Sequence, residues 1–252
     1  MIPRFSCALN GVTPESLDPA IRVTDLTELA PRCRVETLPA GRCGLRLLQR
    51  VRESLTVRVH LRIAEYDPAR RRTLMAQLHA WAEGGGVLTT SDRPDQQLTV
   101  DYAALPALSA LTWSDELSVD LTACAVPFWE SQEQTSAATS GASSLALPGT
   151  APDCPVGVAV TNNGTSALTT LTLTCGETQM TFSGLQLPAS GIFTLHIADG
   201  LLRVDAAGES VLMHRSADSS DFLLADGGKA TPVSVHADQP VSAVFSGRGR
   251  LL

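Results

Sequence analysis

The sequence predicts a mainly β chain: two antiparallel β units and a single α-helix, and three observations carry that prediction. Two runs, Leu55 to Ile63 and Leu117 to Ala123, alternate apolar and polar residues with a strict period of two. Only the segment after Asp67-Pro68 carries a helical period. From Gly157 onward, short alternating runs are broken by turn residues at close intervals.

In the first run Leu55, Val57, Val59, Leu61 and Ile63 alternate with Thr56, Arg58, His60 and Arg62. That is a strand with one buried face and one cationic face. Asp67 then supplies a helix N-cap and Pro68 a proline at the first helical position. Leu74, Leu78, Trp81 and Ala82 follow at helical spacing up to Gly84-Gly85-Gly86, which predicts an amphipathic helix of about four turns over about 68–83. Val87 to Thr90 and Leu98 to Asp101 read as short strands around a bend at Asp92-Arg93-Pro94. Leu117, Val119, Leu121 and Ala123 restore the alternation, with Ser118, Asp120 and Thr122 on the polar side. The run stops at Pro127-Phe128-Trp129.

Ser131 to Ser144 contains no aromatic, no β-branched aliphatic and no period, so it reads as a linker. The expected division is a first unit over 1–130, a linker over 131–144 and a second unit over 145–252. In the second unit Asn163-Gly164 follows an alternating run and predicts a type I′ hairpin, because both central residues of that turn need positive φ. Strands are expected through Leu171 to Cys175, Met180 to Phe182, Phe193 to Ile197, Leu202 to Val204, Val211 to Met213 and Val241 to Phe245. Turns fall at Gly176-Glu177, Asp199-Gly200, Ala207-Gly208 and Asp226-Gly227-Gly228. That is the pattern of an antiparallel β-sandwich.

The order of pieces resembles the N-terminal domain of siphophage distal tail proteins. The residues that carry it are Ile21-Arg22-Val23-Thr24-Asp25 with Glu28 and Pro31, then Ser54-Leu55-Thr56-Val57, Ile63-Ala64-Glu65-Tyr66-Asp67, Arg71 or Arg72, Trp81-Ala82 and Gly85 or Gly86. Ser91-Asp92-Arg93-Pro94, Leu105-Pro106, Trp113 and Pro127-Phe128-Trp129 continue it. Each piece is an ordinary strand, cap or turn; order and spacing over about half the chain make the resemblance. The second half resembles, more weakly, the galectin-like C-terminal domain of that family, notably Arg215 to Asp226 and Gly247-Arg248-Gly249-Arg250. The resemblance implies a tail-tube-like β-sandwich followed by a galectin-like β-sandwich, and a hub joining tail tube to tail tip.

Composition narrows the function classes. No run of 18 apolar residues occurs, and Met1-Ile2-Pro3-Arg4-Phe5 lacks the charged and apolar regions of a signal peptide, so the chain reads as cytosolic at synthesis. Cys7, Cys33, Cys43, Cys124, Cys154 and Cys175 form no Cys-x-x-Cys and read as small buried hydrophobes. A bridge between Cys33 and Cys43 across a hairpin stays open. His60, His79, His196, His214 and His236 are scattered, which argues against zinc. No cofactor is expected.

Residues 1–93 hold 14 arginines against 10 acids, whereas 94–252 hold four arginines and Lys229 against 16 acids. The asymmetry suits head-to-tail contact between subunits, with a merely solvated surface as the competing reading. A chain with one lysine and dispersed arginines does not predict specific nucleic-acid binding. Arg70-Arg71-Arg72 sits in the first turns of the helix, where the macrodipole disfavours cations. The run therefore reads either as a subunit-interface anchor or as arginine stems covering apolar surface.

No Gly-x-Ser-x-Gly, His-Glu-x-x-His or Walker-type loop occurs, and no carboxylate pair sits in an aromatic cleft motif. The second unit has no tryptophan or tyrosine for stacking a sugar, and Phe182, Phe193, Phe222 and Phe245 are assigned to its core. What the resemblance implies is a structural, non-enzymatic hub of a virion tail tip, assembled in the host cytoplasm without membrane insertion. It would form a homohexameric ring continuing the DNA channel, contacting the tail-tube protein, a tail-associated tip protein and receptor-binding or baseplate proteins. Arg58, His60, Arg62, Ser118, Asp120 and Thr122 would face the channel, with the Trp81 helix outside. The alternatives are a carbohydrate-binding tail-tip adhesin, or another tail-tube-fold component such as a tube or terminator subunit.

Overall fold

The computed structural model describes residues 5–39, 45–106, 116–139, 142–198 and 201–251. The chain divides into two compact units between Trp129 and Glu130. The first contains β1 (Cys7–Leu9), a four-residue helix α1 (Pro14–Leu17), β2 (Ile21–Glu28), β3 (Arg32–Pro39), β4 (Leu45–Ile63), α2 (Pro68–Ala82), β5 (Gly86–Thr90), β6 (Arg93–Val100), β7 (Tyr102–Ala104) and β8 (Glu116–Ala123). A short β9 (Trp129–Ser131) runs across the division.

β2, β4, β8 and β7 form an antiparallel sheet in that order. Leu55, Val57, Val59, Leu61 and Ile63 on β4 and Val119, Leu121 and Ala123 on β8 are all buried to 3% exposure or less. Burying one face of a pleated strand imposes the two-residue period on its sequence. β4 begins ten residues before the alternation does. Among the described residues its first half pairs with β3 alone, and Arg34 to Leu38 of β3 are exposed, so no buried face imposes a period on that stretch of β3.

β1, β5 and β6 pair antiparallel, with Leu9, Leu88, Leu98 and Val100 buried. Thr90 pairs with Arg93, so the turn is Ser91-Asp92 and Arg93-Pro94 belongs to the strand, not to a bend. Helix α2 is capped by the Asp67 carboxylate, which accepts from the Ala69 and Arg70 amides. Its Leu74, Met75, Leu78, Trp81 and Ala82 are buried, and Trp81 Nε1 donates to the Val12 carbonyl at 2.8 Å. The exit needs glycine: a Cβ on Gly85, whose φ is +66°, would lie 2.2 Å from the Val100 carbonyl oxygen.

The second unit contains β10 (Gln134–Ala138), β11 (Ala142–Ala146), β12 (Cys154–Asn162), β13 (Leu168–Cys175), β14 (Thr178–Leu187), β15 (Ile192–Ala198), β16 (Leu201–Ala206), β17 (Glu209–Ser210), β18 (Leu224–Ala225), β19 (Ala230–Ala237), β20 (Val241–Gly247) and β21 (Arg250–Leu251). One sheet runs β10-β20-β12-β15-β16-β17 and the other β11-β19-β13-β14. Phe182 of the second sheet meets Phe193 of the first edge to face, with centroids 5.0 Å apart, so the sheets pack face to face around an apolar core.

Four expectations are corrected here. The segment read as a linker supplies β10 and β11, edge strands of small polar residues that pair with β20 and β19. Asn163-Gly164 makes no hairpin: β12 and β13 lie in different sheets, and neither residue takes positive φ. The buried Asn162 side chain holds that crossing instead, accepting from the Gly164 amide and donating to the Ser166, Leu187 and Pro188 carbonyls. Leu212–His214 is a single 3-10 turn in place of a strand. Phe222 is half-buried on a bend, outside the core formed by Phe182, Phe193 and Phe245. The Asp199-Gly200 turn, Trp113 and Cys43 lie outside the described residues. Among the described residues no helix is long and apolar enough to cross a membrane.

Candidate functional site

The polar face of the β2-β4-β8 sheet carries charged residues in register across three strands. Arg58 stands opposite Asp120, and their contact is bidentate: Nε and one terminal nitrogen of the guanidinium donate to the two carboxylate oxygens at 2.7 and 2.8 Å. The Arg58 hydrogen bonds hold the Asp120 carboxyl below the usual carboxylate range, against the opposing effect of burial. Thr56 and Thr122 share a hydroxyl contact at 3.0 Å in the next row. His60 lies opposite Ser118, with its Nε2 at 3.3 Å from the Thr27 hydroxyl. Arg62 stands between Arg22 on β2 and Glu116 on β8. A shallow, open depression of about 380 Å³, lined by Thr24, Asp25, His60, Glu116, Leu117 and Ser118, lies on this face.

Arg58, His60, Arg62, Ser118, Asp120 and Thr122 therefore share one face. The sequence reading missed the β2 members, Arg22, Asp25 and Thr27. A bulge between Val23 and Asp25 shifts the phase of β2, so its polar residues do not alternate as those of β4 and β8 do.

The arginine run divides. Arg70 pairs with Glu65 at 3.1 Å and with Asp18 at 3.4 Å, and Arg71 donates to the Glu65 carbonyl. Those carboxylates also offset the cost of cations at a helix N-terminus. Arg72 is exposed and takes no part in these contacts.

A second cluster joins three pieces that stand apart in the sequence. Glu28 Oε2 accepts from both Trp129 Nε1 and Arg93, each at 2.9 Å, and the Arg93 guanidinium lies 4.9 Å from the Trp129 ring centroid. Arg52 lies over Phe128 at the same distance and donates to the Pro127 carbonyl. Two arginines thus grip the aromatic stop of the first unit.

Cys7, Cys33, Cys124, Cys154 and Cys175 are free thiols. Burial pushes Cys7 up to about 12, with Glu15 adding to the shift, and Cys175 up to about 11, which makes both inert near neutrality. Among the described residues no three His, Cys, Asp or Glu side chains gather as a metal site.

The charge asymmetry also changes once the division is known. Residues 1–129 hold 14 arginines against 15 acids, because the carboxylates of β8 and its surroundings belong to the first unit. That unit is nearly neutral and not electropositive.

No family model matches the sequence, and no curated protein matches it. Among solved structures, the SPP1 Dit protein, described as a paradigm of the hub adsorption apparatus in phages infecting Gram-positive bacteria, superposes with a TM-score of 0.69. The match covers 98% of this chain and 99% of that one at 13% identity. The chain has the Dit fold. Both units take part, as the resemblance in the sequence implied. Two structures of the phage P2 baseplate in its activated conformation, with Ca and with Sr, give TM-scores of 0.47 and 0.48 at 7% identity. They cover 99% and 97% of this chain and 98% and 97% of theirs.

Proposed function

We propose that the chain is a structural distal tail hub subunit of a siphophage-like particle, six copies of which close a ring between tail tube and tail tip. The observation that carries this reading is the Dit fold over nearly the whole length of both chains. Two features of the first unit support a ring. The outer strands of its central sheet, β2 and β7, have no further strand partner among the described residues. The β3–β4 ribbon leaves Val35 and Leu38 more than half exposed, and a two-stranded ribbon is marginal unless something covers it. A neighbouring subunit supplies that cover.

In such a ring the charged face of β2-β4-β8 lines a hydrated channel through which DNA passes without specific binding. Helix α2 lies outside it, and Arg72, not Arg70 or Arg71, reaches a neighbour. The tail-tube protein and a tail-associated tip protein stack on the two rims, and the second unit meets receptor-binding or baseplate proteins. The role is structural and not enzymatic, at the tail tip of a virion assembled in the host cytoplasm.

Electron microscopy of the purified protein and of intact tails tests the reading. A closed ring of six is expected, with Arg58 and Asp120 toward the lumen, and Arg72→Gln weakens it while leaving the subunit folded. A monomer at high concentration and in the tail, or a lumen lined by Val57, Val59 and Leu61, overturns it. Glycan binding by the second unit in place of ring formation would favour the adhesin reading.

A further inference from the structure

Among the described residues the polar face of the central sheet holds three arginines, Arg22, Arg58 and Arg62, and three carboxylates, Asp25, Glu116 and Asp120. Folding stability does not account for the layout. Arg22 and Arg62 are directly opposed like charges, an arrangement that destabilises a sheet, and the Arg58–Asp120 pair is partly solvated, which limits what it contributes. Threonine pairs such as Thr56–Thr122 would serve the sheet as well.

The arginines are spaced along one face as a polyanion site would place them: Arg58 and Arg62 lie four residues apart on β4, roughly 13 Å. What prevents such a site is the partner strand. Asp120 takes the edge of the Arg58 guanidinium, Nε and a terminal nitrogen together, that a phosphate would engage bidentately. Glu116 stands opposite Arg62, on the side away from Arg22. We propose that Asp120 and Glu116 mask a latent phosphate-binding surface, so that a nucleic-acid backbone meets this face without being retained.

The purpose given to the mask rests on the channel reading; the chemistry does not. The test uses the full-length protein and a short fluorescein-labelled single-stranded oligonucleotide, which can reach the face in a monomer or a ring, followed by anisotropy at low and then rising salt. Asp120→Asn combined with Glu116→Gln is expected to bind about tenfold or more tighter than the unsubstituted protein, with a steeper loss of affinity as salt rises. Arg58→Met combined with Asp120→Leu removes the pair without unmasking a cation, and is expected to stay at the unsubstituted level. Glu116→Gln alone, at an exposed position, gives a smaller gain of the same sign even if loss of Asp120 disturbs folding. Equal binding by all forms, or no gain in Glu116→Gln, overturns the mask. Imaging the same samples separates the two readings: rings without a gain in binding sink the mask alone, and a gain without rings sinks the channel alone.

Discussion

Across the first unit's central sheet the polar rows run Arg22, Arg62, Glu116 and Thr27, Arg58, Asp120. Across the larger sheet of the second unit the outward row runs Ala137, Val244, Ala159, Thr194 and Asp205. Both sheets bury one face equally well, with Val59 and Leu121 in the one and Val160, Phe193 and Phe245 in the other at 0% exposure. The difference lies on the solvent side. One unit organises opposite charges in register and stays nearly neutral; the other holds five cations against 11 acids over 130–252 and leaves the middle of its outward row uncharged. A shared architecture thus constrains the core and leaves the wet face open to function.

The largest effect should come from breaking each core separately. Phe182→Ala removes a fully buried ring that bridges the two sheets of the second unit, and Trp81→Ala removes a ring together with its hydrogen bond to Val12. Each is expected to cost about 3 to 5 kcal/mol. Scanning calorimetry with limited proteolysis should show Phe182→Ala lowering the transition of residues 130–252 and Trp81→Ala that of residues 1–129. Equal damage to both units from either substitution would contradict two separate cores.

A middle-sized effect sharpens the same contrast with two asparagines. Asn162 is fully buried and serves three carbonyls and an amide; Asn10, exposed with φ at +53°, bonds the Gly85 carbonyl and the Val87 amide. Replacing Asn162 by Leu strips buried groups of their partner, at roughly 1 to 3 kcal/mol for each left bare. Water can take over at Asn10, so Asn10→Ala should cost less in urea denaturation. A reversed order would mean that the Asn162 crossing tolerates solvent.

How much was legible follows from which faces are buried. The second half of β4 and most of β8 were readable because a core behind them enforces alternation. The Asp67 cap and the Trp81 stripe were readable because helix ends and faces write themselves locally. β10 and β11 were not: an edge strand of Ser, Thr and Ala carries neither strong propensity nor period. On β3 the residues Arg34 to Leu38 are exposed, so no buried face marks them, and β2 changes phase at Thr24. Within the candidate site the side chains of β4 and β8 were found, but their register, 62 residues apart at Arg58 and Asp120, is a tertiary fact. The same holds for Glu28, Arg93 and Trp129, which were seen as separate motif pieces and meet only in the fold.

The smallest effect concerns pH and belongs to the charged rows alone. The Asp120 carboxyl is held below its ordinary value by the Arg58 guanidinium, so folding favours its ionised form. A depressed folded value means that the pair's contribution is complete above the unfolded carboxylate value, near 4, and is lost as pH falls through the folded value. Urea midpoints for the unsubstituted protein should therefore fall below about pH 4 more steeply than those for Asp120→Asn, which has no proton to take up there. Because both side chains are partly solvated, the gap at neutral pH should be smaller than the loss at Asn162 and should shrink with added salt. Parallel acid limbs for the Asp120→Asn and unsubstituted proteins would show that the bidentate contact does not persist in solution, and with it would go the mask over Arg58.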